Sequence, residues 1–172
     1  MKFYPDWKKF AAVQKHKETG CIPTIYETML RIAGVTGVDF DTFQEDFDLD
    51  LPGLGEKKNN FVSVADAVKA KYPEVKFAQE AFTTGTEKLA RLDELLEDGK
   101  VVAIALHLGP FKGINTCHSM PVVGWDEHDL IMLNGFFDDG DTDEWIISRA
   151  DVIKTHDNAP GGKELAYFNK WK

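Results

Sequence analysis

"CHSMPVVGWDEHDLIMLNG", residues 117–135, sets one apolar run against another across a charged Asp-Glu-His-Asp stretch. Two such runs flanking a polar turn predict an antiparallel strand pair, 117–125 with 130–137. A three-residue loop at 125–127 places Gly124 opposite His128, and His118 opposite Asn134. Asn134 is then a polar residue in a ladder that otherwise spells LIML, where an unbonded amide is costly. A hydrogen bond to His118 satisfies it. Adjacent strand residues face opposite sides, so with His118 toward a cleft, Cys117 is expected in the core as a structural thiol.

Outward from this pair, VVAIAL at 101–106 reads as a buried strand, EWIIS at 144–148 as a shorter one, and VKFAQEAF at 75–82 as a weakly alternating one. A helical turn is expected from Arg149 to Lys154. The first half is helical instead. Ile22, Ile25, Tyr26, Met29, Leu30 and Ala33 recur on one helical stripe, with Pro23 in the first turn and Gly34 at the stop. Residues 36–60 are acidic and irregular, although Phe40, Phe43 and Phe47 predict a short helix at the start. Ser63 and Asp66 form a capping box for a helix to Lys71, which Pro73 ends. Thr86 to Asp98 turns Leu89, Leu92, Leu95 and Leu96 inward, and Gly99 ends it. Helices first and strands after indicate an α+β fold, here expected as a single domain over residues 1–172.

A net charge of −9 over 172 residues, with no basic run, argues against nucleic-acid binding and favours peptides or small molecules as ligands. Two cysteines make no disulfide framework, and no zinc-ligand spacing surrounds them. The opening MKFYPDWKKF lacks the apolar core of a leader, and no apolar run reaches the ~18 residues of a membrane helix. A cytoplasmic protein with reduced thiols, not inserted in a membrane, is the expectation.

That makes "TGCIPTIYETMLRIAG", residues 19–34, the second decisive stretch. A thiol at a helix N-terminus beside an imidazolium has its pKa depressed and becomes a nucleophile. Cys21 has the helix start, and His118 is the base held rigidly by a strand. Asn134 orients the imidazole. The backbone N–H of Cys21 and the side-chain amide of Gln14 are the candidate oxyanion donors. His16 is a rival base close in sequence, and His107 is expected in a loop. Trp125 and Trp145 suit either a cleft wall or core packing. "DDGDTDE", 138–144, does not match the spaced ligands of a calcium loop and reads as a solvated acidic turn.

Gln14, Cys21 before Pro23, His118 and then Asn134, in that order, resemble a papain-fold cysteine peptidase. The likeness runs toward the C39-like branch, related to the bacteriocin-processing peptidases. "LDELLEDGKVVAIAL" and "EWIISRADVIK" extend it over roughly residues 10–155. The resemblance implies an N-terminal helical lobe packed on a C-terminal antiparallel β-sheet. It also implies a cysteine nucleophile, histidine base, Asn or Asp orienter, glutamine oxyanion donor, no cofactor and no metal. The family usually spaces its glutamine six residues before the cysteine, where Gln14 stands seven before, and the C39 branch usually has Asp where Asn134 stands. The expected activity is hydrolysis of a peptide or isopeptide bond in a peptide or protein substrate, through an acyl-enzyme on Cys21. Transfer of that acyl group to an amine, as in a transpeptidase, is the alternative, and a silent peptide-binding module the third.

Overall fold

The computed structural model describes residues 1–15, 21–46, 61–113, 115–134 and 143–169, with backbone alone at 21, 61–65, 111, 112 and 143. Its elements in chain order are β1 (Lys2–Phe3), α1 (Cys21–Ala33), α2 (Phe43–Asp46), α3 (Phe61–Lys71), β2 (Ala78–Ala81), α4 (Gly85–Glu97) and β3 (Lys100–His107). Then follow α5 (Gly109–Lys112), β4 (Cys117–Trp125), β5 (Asp129–Asn134), β6 (Asp143–Ser148), α6 (Arg149–Asn158) and β7 (Glu164–Asn169). The strands form one antiparallel sheet in the order β2-β7-β3-β4-β5-β6, and β1 adds to the end of β4.

The spacing that predicts α1 understates its burial. Tyr26, Met29 and Leu30 are fully buried, and so, nearly, are the polar Thr24, Glu27 and Thr28. A helix enclosed on most sides is a core element rather than a surface one, and α1 packs on β3 and β4. Gly34 takes φ +68° after it, and Val35 N–H returns to Leu30 C=O, closing the helix end.

Several boundaries differ from expectation. Residues 73–75 form a 3₁₀ turn, so β2 starts at Ala78. Ser63 lies inside α3 rather than capping it. The box that does form is Thr84 with Glu87 at the start of α4: each side chain accepts from the other's backbone N–H. The α6 helix runs past Lys154 to Asn158 behind a Ser148 cap. The 47–60 part of the expected loop, Phe47 included, lies outside the described residues.

Strand β7 was not expected at all, yet it lies between β2 and β3. Its ladder with β3 stops at Ile104 opposite Leu165. Beyond that point Lys88 of α4, with no exposed surface, bridges the gap: its ammonium donates to the carbonyls of Ala105 and Gly162 (2.8 Å to the latter). Burial pushes the Lys88 pKa down to about 7, with the Glu164 carboxylate acting against it. Nearby His156 on α6 is also fully buried and donates Nε2–H to Phe82 C=O (3.1 Å). Burial, helped by the positive charges of Lys88 and Lys163, lowers its pKa.

Among the described residues no helix is long and apolar enough to cross a membrane.

Candidate functional site

His118 is the second residue of β4, paired with Leu106 of β3, and is 5% exposed. Asn134 ends β5 and is fully buried. Their side chains meet: His118 Nε2–H donates to Asn134 Oδ1 at 2.8 Å. A carbonyl oxygen on Nε2 makes that nitrogen the protonated one and leaves the lone pair on Nδ1.

The route to this contact is not the one expected from the loop. Asp126 accepts the N–H groups of His128 and Asp129 through its side chain and donates its own N–H to Asp129 C=O. This Asx turn centres the hairpin between Glu127 and His128 instead of on Asp126 and sets Trp125 opposite Leu130. Carried back unbroken, that register faces Asn134 with Pro121 and leaves His118 on the other side of the sheet. A bulge between Val122 and Gly124 absorbs one residue, so that Val122 faces Met132. Extending that register by two residues puts Asn134 level with Met120 and makes His118 its diagonal neighbour on the same face, at the ~7–8 Å spacing that two polar side chains can bridge.

Trp145 of β6 lies opposite Met132 and shares this face; its ring centroid is 6.3 Å from that of His118, tilted by 56°. Of the two tryptophans considered for a cleft wall, this one borders the imidazole. Trp125 is at the far end of β4, against Tyr4, where it lines a separate 550 Å³ cavity with Lys2, Asp93 and Arg149.

Cys117 corrects an expectation. It does point away from the His118 face, opposite His107, but it is exposed rather than in the core. Residues 115–117 emerge at the sheet margin, and the sulfur lies against Gly161. Partial desolvation of the sulfur, then the Glu164 charge, push its pKa up, away from reactivity. His107 is the last residue of β3 rather than a loop residue, and its Nδ1 accepts Gly109 N–H.

Cys21 is the first residue of α1. Its side chain lies outside the described residues, and the expected sulfur–imidazole contact with it, as do His16 and residues 138–142 of the acidic turn. Gln14 is half-buried in a segment fastened to the helices: Ala12 N–H donates to Thr28 Oγ1 (3.0 Å) and Lys15 N–H to Gln44 Oε1 (2.9 Å). Thr24, Glu27 and Thr28 lie off the apolar stripe by which α1 is recognised in the sequence. Their three-and-four spacing was the available signal of a polar face with buried partners. Among the described residues no three His, Cys, Asp or Glu side chains are grouped to hold a metal ion.

Burial lowers the His118 pKa, opposed by the hydrogen bond to Asn134, which favours the neutral, proton-accepting form of the imidazole. The same direction has a consequence for stability. His118 and His156 sit below the usual 6.5 when folded, so their contribution is full above that value and lost as pH falls through the folded pKa values. Lys88 titrates at about 7 folded against 10.5 unfolded, so the unfolded chain binds more protons in that window and stability rises with pH across it. The melting temperature should climb from about pH 5 to about pH 9, and Lys88→Met should flatten the part above neutrality. A wild-type melting temperature that falls between pH 7 and 9 would contradict the buried lysine.

No family model matches the chain, and no curated protein matches its sequence. Among solved structures it is similar to a candidate C39-like peptidase from Bacillus anthracis. The TM-score is 0.61 at 16% identity, over 94% of this chain and 94% of that one. At this identity the likeness is one of fold: helices with a seven-stranded antiparallel sheet, consistent with a C39-like peptidase fold.

Proposed function

We propose that this chain is a cysteine peptidase or related thiol hydrolase of papain-like fold, one cytoplasmic domain acting on a peptide or protein. The observation that carries the reading is the buried 2.8 Å pairing of His118 with Asn134, on the face bordered by Trp145. The fold likeness supports it. In this mechanism His118 Nδ1 takes the Cys21 thiol proton, and the thiolate attacks the scissile carbonyl carbon. Negative charge moves onto the carbonyl oxygen, met by the Cys21 N–H and the Gln14 amide. The carbonyl re-forms as the C–N bond breaks, and His118 returns its proton to the leaving amine. Water, deprotonated by the same imidazole, then attacks the thioester carbon. The C–S bond breaks, the carboxylic acid departs, and the Cys21 thiolate and protonated His118 are regenerated as the starting pair. Asn134 holds the ring so that Nδ1, not Nε2, carries the lone pair. Burial disfavours a lone imidazolium here, so the charged form of His118 depends on the thiolate as its counter-charge.

Intact-mass analysis after iodoacetamide tests the nucleophile without knowledge of a substrate. At about pH 6.5, below the ~8.5 of a free thiol, the expected first adduct is on Cys21. Cys117, with its raised pKa, should lag well behind. Equal labelling of both, or labelling only above the free-thiol pKa, would count against an activated Cys21.

A further inference from the structure

Gln44 belongs to a short helix that the proposed reaction does not use, yet it is 1% exposed and all its hydrogen-bonding capacity goes to one small region. Its Nε2 donates to Val13 C=O (2.9 Å) and to Glu27 Oε2 (2.7 Å). Its Oε1 accepts from Lys15 N–H (2.9 Å) and from the Thr24 hydroxyl (3.1 Å). Both donors of the amide and both lone pairs of its oxygen are therefore engaged. Val13 C=O and Lys15 N–H flank Gln14, so one carboxamide grips the backbone on either side of that residue, as a neighbouring strand would. The two remaining bonds go to Thr24 and Glu27, in the first two turns of the helix that Cys21 begins. Glu27 is fixed in turn by Arg31 through Oε1 (3.0 and 2.8 Å). Ala12 N–H on Thr28 extends the same seam.

We infer that Gln44 is a positioning residue that locks Gln14 to the start of α1, holding the proposed oxyanion donor at a set distance from the proposed nucleophile. The inference rests on the oxyanion role given to Gln14. Buried side-chain amides with every bond satisfied rigidify their surroundings, and a donor aimed at a developing oxyanion loses its effect when displaced by about 1 Å.

Two probes of Cys21 separate positioning from mere support. Iodoacetamide alkylates the sulfur by displacing iodide from a saturated carbon, with no carbonyl oxyanion formed at the attacked atom. p-Nitrophenyl acetate acylates the same sulfur through a tetrahedral oxyanion, the C–O bond breaking to release p-nitrophenolate. Gln44→Met should slow the p-nitrophenolate burst about 10- to 100-fold, up to the lower end of the ~10²–10³ that deleting an oxyanion donor costs, while the Cys21 alkylation rate stays within about threefold. Gln14→Ala should show the same split, and the double variant should be no slower than Gln14→Ala alone, because Gln44 acts through Gln14. Thr24→Val, which removes only the hydroxyl's bond to Oε1, should give a smaller split in the same sense and serves if Gln44→Met does not fold. Equal slowing with both probes, an additive double variant, or an unchanged burst in Gln44→Met would overturn the inference and leave the nucleophile standing. Absence of any Cys21 adduct in the wild-type protein would instead overturn the thiol reading, and this inference with it.

Discussion

Cys21→Ala should abolish acyl release from p-nitrophenyl acetate or any peptide substrate, lowering the rate by at least ~10⁴-fold, as loss of a covalent nucleophile does elsewhere. The same change should leave the melting temperature within about 3 °C. The two expectations belong together. A cysteine kept for packing in a core would cost about 2 kcal/mol or more on truncation, through the cavity it leaves, and would have no effect on turnover. A nucleophile at the mouth of a helix shows the reverse. The mechanism predicts this separation because Cys21 opens α1, whereas the residues that seat the helix (Tyr26, Met29 and Leu30) lie deeper along it. Cys117→Ala is the internal control. It removes an exposed thiol on the other face of β4 and should alter neither readout. Stability lost by more than ~2 kcal/mol with activity intact in Cys21→Ala would return that residue to a packing role.

Gly162→Ala should be the most damaging single methyl in the described residues, costing about 2–5 kcal/mol in a urea titration from two separate terms. Gly162 adopts φ +73°, where a side chain meets its own backbone. An added Cβ would also stand 2.6 Å from His107 N and 2.7 Å from the Leu106 carbonyl carbon, and neither main-chain atom can swing aside. The close approach exists because the segment leading into β7 runs along the end of β3, with the Gly162 carbonyl turned to Lys88. Gly99→Ala separates the two contributions. Gly99 has nearly the same backbone, φ +75°, but open space around its Cβ direction, so it should lose only the conformational part, about 1–2 kcal/mol. Equal losses at the two glycines would mean that the close contact with β3 is not a constraint.

What the sequence disclosed depends on the range of the physics involved. The α1 and α4 helices and the β3–β5 strands were legible because their apolar spacing repeats locally, within a turn or two. The His118–Asn134 partnership was legible from the cost of a polar residue in an apolar ladder. The register behind it was not, because it combines an Asx turn at Asp126 with a bulge near Val123, and only their sum restores the shared face. Strand β7 was missed although ELAYFN has ordinary strand composition. The Gly161–Gly162 approach that admits it, and the Lys88 ammonium that closes the gap beside it, take meaning only from distant partners. For Cys117 strand alternation says which face the residue takes but not whether anything covers it, and the thiol is exposed. Gln44 was invisible for a similar reason: nothing around FQED reveals that its amide reaches back to Val13 and Lys15.

The central place of β7 also governs how the chain can assemble. Ribosomes extend a polypeptide at about 5–20 residues per second, so β2 and β3 emerge several seconds before the strand that must enter between them. Until Glu164–Asn169 arrives, Ala78–Ala81 has no ladder to join, and β3 offers an open edge to solvent or to another nascent chain. Sheet closure thus waits on the last strand to be synthesised and is a contact of high sequence separation, the kind that sets slow rates in antiparallel proteins. A chain shortened to end at Pro160 would retain His118 and Asn134 and still be unable to complete the sheet that holds them.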